Sequence, residues 1–61
     1  MVADKVKAAL VKRKITIYKL SKLTGITYEL LRRSLSGSRK MTAEELLLII
    51  ERVGIGIEEL K

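Results

Sequence analysis

The sequence predicts an all-α fold, a compact bundle of five short helices. Apolar residues recur every three or four positions along most of the chain, which is the spacing of helices with one buried face. Pro, Cys, His, Phe and Trp are all absent. The core must therefore be aliphatic, with no disulfide and no histidine or cysteine metal site to reinforce it. A chain of 61 residues provides one such domain.

The first helix is expected over residues 3–13, with an apolar stripe on one side and cations facing water on the other. The stripe is formed by Val2, Val6, Ala9 and Leu10, and the cations are Lys5, Lys7, Lys12 and Arg13. Binding to a membrane surface is an alternative for a basic amphipathic helix. The narrow apolar face, which has no aromatic residue, disfavours it.

Two further helices joined by a glycine turn are expected in the middle of the chain. Thr16 can cap the N-terminus of the second helix, which then ends at Leu23 or Thr24. Gly25 follows at the position where a helix end commonly adopts a left-handed conformation. Thr27 caps the third helix, expected over residues 28–35. Such a pair of helices is typical of a helix-turn-helix, whose second helix enters the DNA major groove.

The third helix should have a buried side, with Leu31 and Leu35 one turn apart and Ser34 beside them. The candidates for its outer side, and so for contacts with DNA bases, are Thr27, Tyr28, Glu29, Arg32 and Arg33. Arginine can bind guanine through two hydrogen bonds, which favours Arg33 for a base and Arg32 for a base or a phosphate. Glu29 either accepts a hydrogen bond from cytosine or pairs with Arg33, four residues on.

The rest of the chain predicts a polar loop, a fourth helix and a short helical turn. The loop comprises residues 36–40, and Thr42 and Glu45 form a capping box at the start of the fourth helix. Apolar positions of that helix are Leu46, Ile49, Ile50 and Val53. Gly54 ends it, and the fifth helix is the turn from Ile57 to Leu60.

Positive charge is concentrated in the first two thirds of the chain. Residues 1–40 hold eleven Lys and Arg against two acidic residues, a balance of +9, whereas residues 41–61 hold two against five, a balance of −3. This asymmetry suggests that one side of the molecule meets a polyanion. A surface that merely aids solubility is the alternative, and charge alone does not separate DNA, RNA and membrane.

These residues, in this order and spacing, resemble the lambda-repressor-like family of helix-turn-helix proteins, the Cro and Xre-type repressors. The resemblance covers nearly the whole chain. It is carried by Leu20, Ser21, Gly25, Ile26, Thr27, Leu31 and Gly37, and by Leu46, Ile49, Val53, Ile55 and Leu60 on core positions of the family's fourth and fifth helices. Three residues depart from the family pattern: Ile17 replaces a frequent glutamine, Ser21 an alanine, and Ser34 an aliphatic residue whose space Leu30 or Leu35 must fill.

The resemblance implies a transcriptional regulator of phage Cro or repressor type that binds a double-stranded DNA operator. Bases would be contacted mainly from Tyr28, Glu29 and Arg33, with help from Thr27 and Arg32. Phosphates would be held from the start of helix two and from the loop after helix three, by Thr16, Ile17, Tyr18, Ser36, Ser38, Arg39 and Lys40. A weak homodimer through the region of Ile55, Ile57 and Leu60, formed in solution or only on DNA, is also implied.

Other functions follow less directly from the sequence. A small protein-interaction module of antitoxin or anti-repressor type, with an incidental basic face, is the main alternative. RNA binding is a further alternative, but the sequence offers no exposed aromatic platform on which single-stranded bases could stack. No nucleophile with a base and no metal-ligand set is visible, so neither an enzyme nor a cofactor is expected. With no secretory h-region and no apolar run of membrane length, we expect a cytoplasmic protein of a bacterium or a phage-infected cell.

Overall fold

The computed structural model describes residues 2–61 and contains four α-helices followed by one turn of 3-10 helix. They are α1 (Val2–Lys12), α2 (Ile17–Thr24), α3 (Tyr28–Ser36), α4 (Ala43–Val53) and the C-terminal 3-10 helix (Ile57–Leu60). The predicted all-α class is confirmed. The prediction of five helices is corrected, because the last element is a single 3-10 turn of four residues, in which the Glu59 N–H donates to the Gly56 carbonyl three positions before it.

The core is aliphatic and draws on all four α-helices. Its buried members are Val6, Ala9, Leu10, Leu20, Leu31, Leu35, Ile49 and Ile55. α1 packs against α3 and the 3-10 helix, and α2 packs against α3 and α4. Val2, expected in the apolar stripe of α1, instead remains 46% exposed. It lies at the first residue of α1, where less of the protein packs over the helix.

Three threonines cap the N-termini of α2, α3 and α4, as predicted. The side-chain oxygens of Thr16, Thr27 and Thr42 accept hydrogen bonds from the backbone N–H groups of Lys19, Leu30 and Glu45, at 3.1, 3.4 and 3.1 Å. The Thr42 backbone N–H in turn donates to the Glu45 carboxylate at 2.9 Å, which completes the predicted capping box. The start of each helix is therefore fixed by a contact that is local in sequence.

A residue in the left-handed backbone conformation follows each of the helices α1, α2 and α3. Gly25 (φ 79°) closes α2, and its N–H donates to the Ser21 carbonyl at 2.8 Å. Gly37 (φ 90°) closes α3 in a Schellman motif, because the Gly37 and Ser38 N–H groups donate to the Ser34 and Arg33 carbonyls. α1 is different, since a lysine, Lys14 (φ 56°), occupies the left-handed conformation after it.

Arg13 connects the end of α1 to the C-terminal 3-10 helix. Both terminal nitrogens of its guanidinium donate to the Glu59 carboxylate at 2.8 Å, and they also donate to the Ala9 and Gly54 carbonyls at 3.2 and 3.3 Å. The prediction that Arg13 faces water is therefore wrong. Its carboxylate partner lies 46 positions away in sequence, so no local pattern indicates the pair.

Candidate nucleic-acid interface

The turn between α2 and α3 is fixed by two hydroxyl groups of α2. Ser21 Oγ donates to the Ile26 carbonyl at 2.5 Å. Thr24 Oγ1 donates to the Leu20 carbonyl at 2.8 Å and accepts from the Ile26 N–H at 3.2 Å. Ile26 is partly buried and packs against the core. Ser21, which stands where the resemblance expects alanine, thus supplies a bond that helps to hold α3 relative to α2.

The rotation of α3 is set by its buried side, which comprises Leu31, Ser34 and Leu35. Leu35 is 4% exposed and belongs to the core. Because successive residues turn by about 100° around a helix, Glu29 and Arg33 lie opposite this buried side, and Arg32 lies on one flank. All five residues predicted to contact bases, Thr27, Tyr28, Glu29, Arg32 and Arg33, are exposed.

Glu29 pairs with Arg32, three residues on, and not with Arg33 as the sequence suggested. Arg32 Nε and Nη2 each donate to a Glu29 carboxylate oxygen at 2.9 Å. The pair lowers the pKa of Glu29, through the Arg32 hydrogen bonds first, and raises the pKa of Arg32. The other edge of the Arg32 guanidinium still carries free N–H groups. Arg33 has no ion-pair partner among residues 2–61.

Arg39, predicted to contact phosphate, is partly buried and is bonded to other residues of the protein. Its Nη1 donates to Ser34 Oγ at 2.7 Å, and Nη1 and Nη2 donate to the two oxygens of Glu45 at 3.0 Å. Hydrogen bonds from Arg39 and from the Thr42 N–H lower the pKa of Glu45. Arg39 therefore fastens the loop after α3 to α4, and a phosphate contact by this residue would compete with these bonds.

The start of α2 presents Thr16, Ile17 and Tyr18. Thr16 Oγ1 accepts the capping bond, which leaves its hydroxyl hydrogen able to donate outward. The Ile17 side chain packs against the core, so only its backbone N–H, which has no acceptor within the helix, is suited to phosphate. Tyr18 is 61% exposed and lies under the Lys22 ammonium, 4.8 Å from the ring centroid. Lys22 was not among the predicted site residues, although its spacing of four from Tyr18 on a helix indicates a contact.

The loop after α3 presents Ser36, Ser38 and Lys40, all exposed. Both serine hydroxyls donate to the Arg33 carbonyl, at 3.0 and 3.2 Å, and they lie 3.2 Å apart. A phosphate contact from either hydroxyl would replace that internal bond. Lys40 has no ion-pair partner within the described residues and is the loop cation available to an external anion.

The start of α2 and the end of α3 are adjacent in space. Ile17, Arg32 and Ser36 border one groove of about 280 Å³. Of the predicted phosphate positions at the start of α2, Ile17 thus lies beside the flank of α3 that carries Arg32. Lys7 and Val11 of α1 border the same groove. The sequence analysis did not single out this groove, because it is formed by three separate elements.

The three residues predicted to form a homodimer differ in their exposure to solvent. Ile55 is 4% exposed and belongs to the core, and Leu60 is partly buried against it. Ile57 is 68% exposed. Of the three, Ile57 is the side chain that a second molecule could reach without unfolding the C-terminal segment.

Comparisons with known proteins do not indicate a function for this chain. No protein-family model, no curated protein and no solved structure matches this chain. Within residues 2–61, no helix is long and apolar enough to cross a membrane. The same residues contain no group of three acidic side chains close enough to hold a metal ion.

Proposed function

We propose that the protein binds double-stranded DNA in a sequence-specific way and regulates transcription, with α2 and α3 acting as a helix-turn-helix in a lambda-repressor-like fold. The observation that carries the proposal is the division of α3 into two sides. One is locked into the core by Leu31, Ser34 and Leu35, and the other exposes a glutamate and two arginines. In this proposal α3 lies in the major groove.

Arg33 is the strongest candidate for a base contact, because it lies opposite the buried side of α3 and its guanidinium is not engaged by a carboxylate. Arg32 is held by Glu29 along one edge, with the other edge open for a base or phosphate. An arginine already held by a carboxylate loses less side-chain freedom on binding. Glu29 would in this way orient the Arg32 guanidinium. Its negative charge would also repel a phosphate near the centre of α3.

Phosphate contacts on both sides of α3 would fix its register in the groove. The N-terminus of α2 offers backbone N–H groups and the Thr16 hydroxyl, a combination suited to anions. Lys40 offers a cation on the other side. The balance of +9 in residues 1–40 supports a polyanionic partner.

Occupation of a promoter by this domain would repress transcription by excluding polymerase. Specific binding to a palindromic site requires two copies, one for each half-site about one helical turn apart. In this proposal the copies meet on the DNA through the exposed Ile57.

Selection from a pool of random duplexes, followed by footprinting, tests the proposed function. We expect enrichment of one consensus in which two inverted half-sites lie about 10 base pairs apart. Protection should extend over both half-sites, with α3 residues crosslinking in the major groove. A pool that remains random after repeated rounds, with equal affinity for every duplex, would instead favour the protein-interaction module and overturn the assignment.

A further inference from the structure

The groove between α1, the start of α2 and α3 is an apolar surface with cations at its edge. Its floor and walls are aliphatic, and Lys7 and Arg32 supply the positive charge. Val11 lies on its α1 side and is 75% exposed, the largest exposed fraction among the large hydrophobic residues described. Val11 therefore offers an aliphatic side chain to a partner outside the molecule.

The outer face of α4 has the complementary composition. Leu47 is 59% exposed and lies on the side of α4 opposite to the buried Ile49. Glu44 and Glu51, three residues before and four residues after Leu47, flank it on the same side of the helix, and both are exposed. α4 therefore presents one aliphatic side chain between two carboxylates.

We propose that a second copy of this chain docks its α4 face into the groove. Leu47 of one copy then covers Val11 of the other, Glu51 faces Lys7, and Glu44 faces Arg32. The occupant is inferred from complementarity of charge and hydrophobicity, since the basic and acidic parts of the chain carry balances of +9 and −3. The exposed Ile57, which the DNA-bound pair would use, takes no part in this contact.

The groove and the α4 face are different surfaces of the same molecule. Two copies can therefore each dock α4 into the groove of the other, or each copy can dock into the next and form a chain of molecules. Arg32 belongs both to the groove and to the proposed DNA-binding side of α3. Self-association would then compete with DNA for Arg32. That competition rests on the proposed function, whereas the self-association does not and is measured without DNA.

Sedimentation equilibrium of the purified protein tests the contact. The buried area is small, so association should be weak and detectable as the concentration approaches about 1 mM. Lys7→Glu and Glu51→Lys should each weaken it about five- to tenfold by placing like charges together. Combining the two substitutions should restore the dissociation constant to within about threefold of the original.

Two control variants test whether the association depends on the groove. Lys5→Glu makes the same change of charge on the other side of α1, away from the groove, and Ile57→Ser removes the C-terminal aliphatic side chain. Neither should weaken association. A single 6.9 kDa species at all concentrations would overturn the proposal. Equal effects of Lys5→Glu and Lys7→Glu, loss of association in Ile57→Ser, or no rescue in the double variant would do so as well.

Discussion

Arg39 donates a 2.7 Å hydrogen bond to the hydroxyl of Ser34, which is 1% exposed. Ser34 is the one buried polar residue within the described chain. Its position on the core side of α3 is acceptable because Arg39, itself paired with Glu45, satisfies the hydroxyl. The bond thereby links the rotation of α3 to the loop that follows it and to the start of α4.

Removal of either end of this bond should have unequal effects on stability. Arg39→Ala leaves the Ser34 hydroxyl buried without its donor and should lower the free energy of unfolding by about 1–3 kcal/mol. Ser34→Ala removes the buried hydroxyl itself and leaves the Arg39–Glu45 pair in place, so its cost should be below about 1 kcal/mol. Urea denaturation measures both, and the combined variant should cost less than the two single changes added together. Equal and additive costs would contradict the role assigned to Arg39.

Gly25 should resist substitution for a conformational reason alone. An added Cβ would meet nothing within 4 Å, but φ is +79° at this position. Gly25→Ala should therefore lower the free energy of unfolding by about 1–2 kcal/mol. Gly56→Ala is the matched control, since Gly56 has an ordinary φ of −75° and its Cβ would meet only the Glu59 carboxylate, at 3.6 Å. Urea denaturation should show no loss for this control, and a comparable loss would point to packing instead of backbone strain.

Stability should fall in acid through the Arg13–Glu59 pair. The Arg13 hydrogen bonds, followed by the Gly56 N–H, lower the pKa of Glu59 from 4.5 to about 2. A carboxylate with a lowered folded-state pKa stabilises the protein fully above its unfolded pKa, and this contribution is lost as the pH falls toward 2. The free energy of unfolding should therefore decline below about pH 4.5, and less so in Glu59→Gln. Glu58→Gln should keep the decline of the parent protein.

The charge and the geometry of Arg33 can be separated by two substitutions. Arg33→Ala should relax base preference at one position of the selected site, at a cost of about 1–3 kcal/mol in specific binding. Arg33→Lys keeps the positive charge but loses the planar pair of donors, so it should restore affinity for random duplex without restoring the base preference. Fluorescence anisotropy on the consensus and on single-base variants measures this. Full rescue of specificity by lysine would assign Arg33 to phosphate.

Substitution of Lys40, unlike that of Arg33, should affect binding to all DNA sequences equally. Lys40→Ala should weaken binding to consensus and random duplexes by the same factor, and should reduce the slope of log affinity against log salt by about one. Lys61→Ala removes the same charge from the acidic part of the chain and should leave the slope unchanged. A selective loss of consensus binding in Lys40→Ala would contradict a phosphate contact.

The boundaries of the elements were largely predictable because local chemistry sets them. Threonine caps and glycine ends act over three to five residues, and α2 and α4 begin where Thr16 and Thr42 predict. The partners of the arginines were not predictable. Arg13 bonds across 46 positions, and Glu29 has arginines both three and four residues away, either of which a helix brings within reach.

The threonine and glycine boundaries of the helices have a kinetic consequence. Since the limits of α2 and α4 are marked by residues adjacent in sequence, each can begin to form before the core is assembled, and few distant segments must first meet. Small helical domains with such short-range contacts cross the folding barrier within microseconds to milliseconds. We therefore expect rapid, single-exponential refolding in a temperature jump, with the pairing of Arg13 and Glu59 as one of the last events.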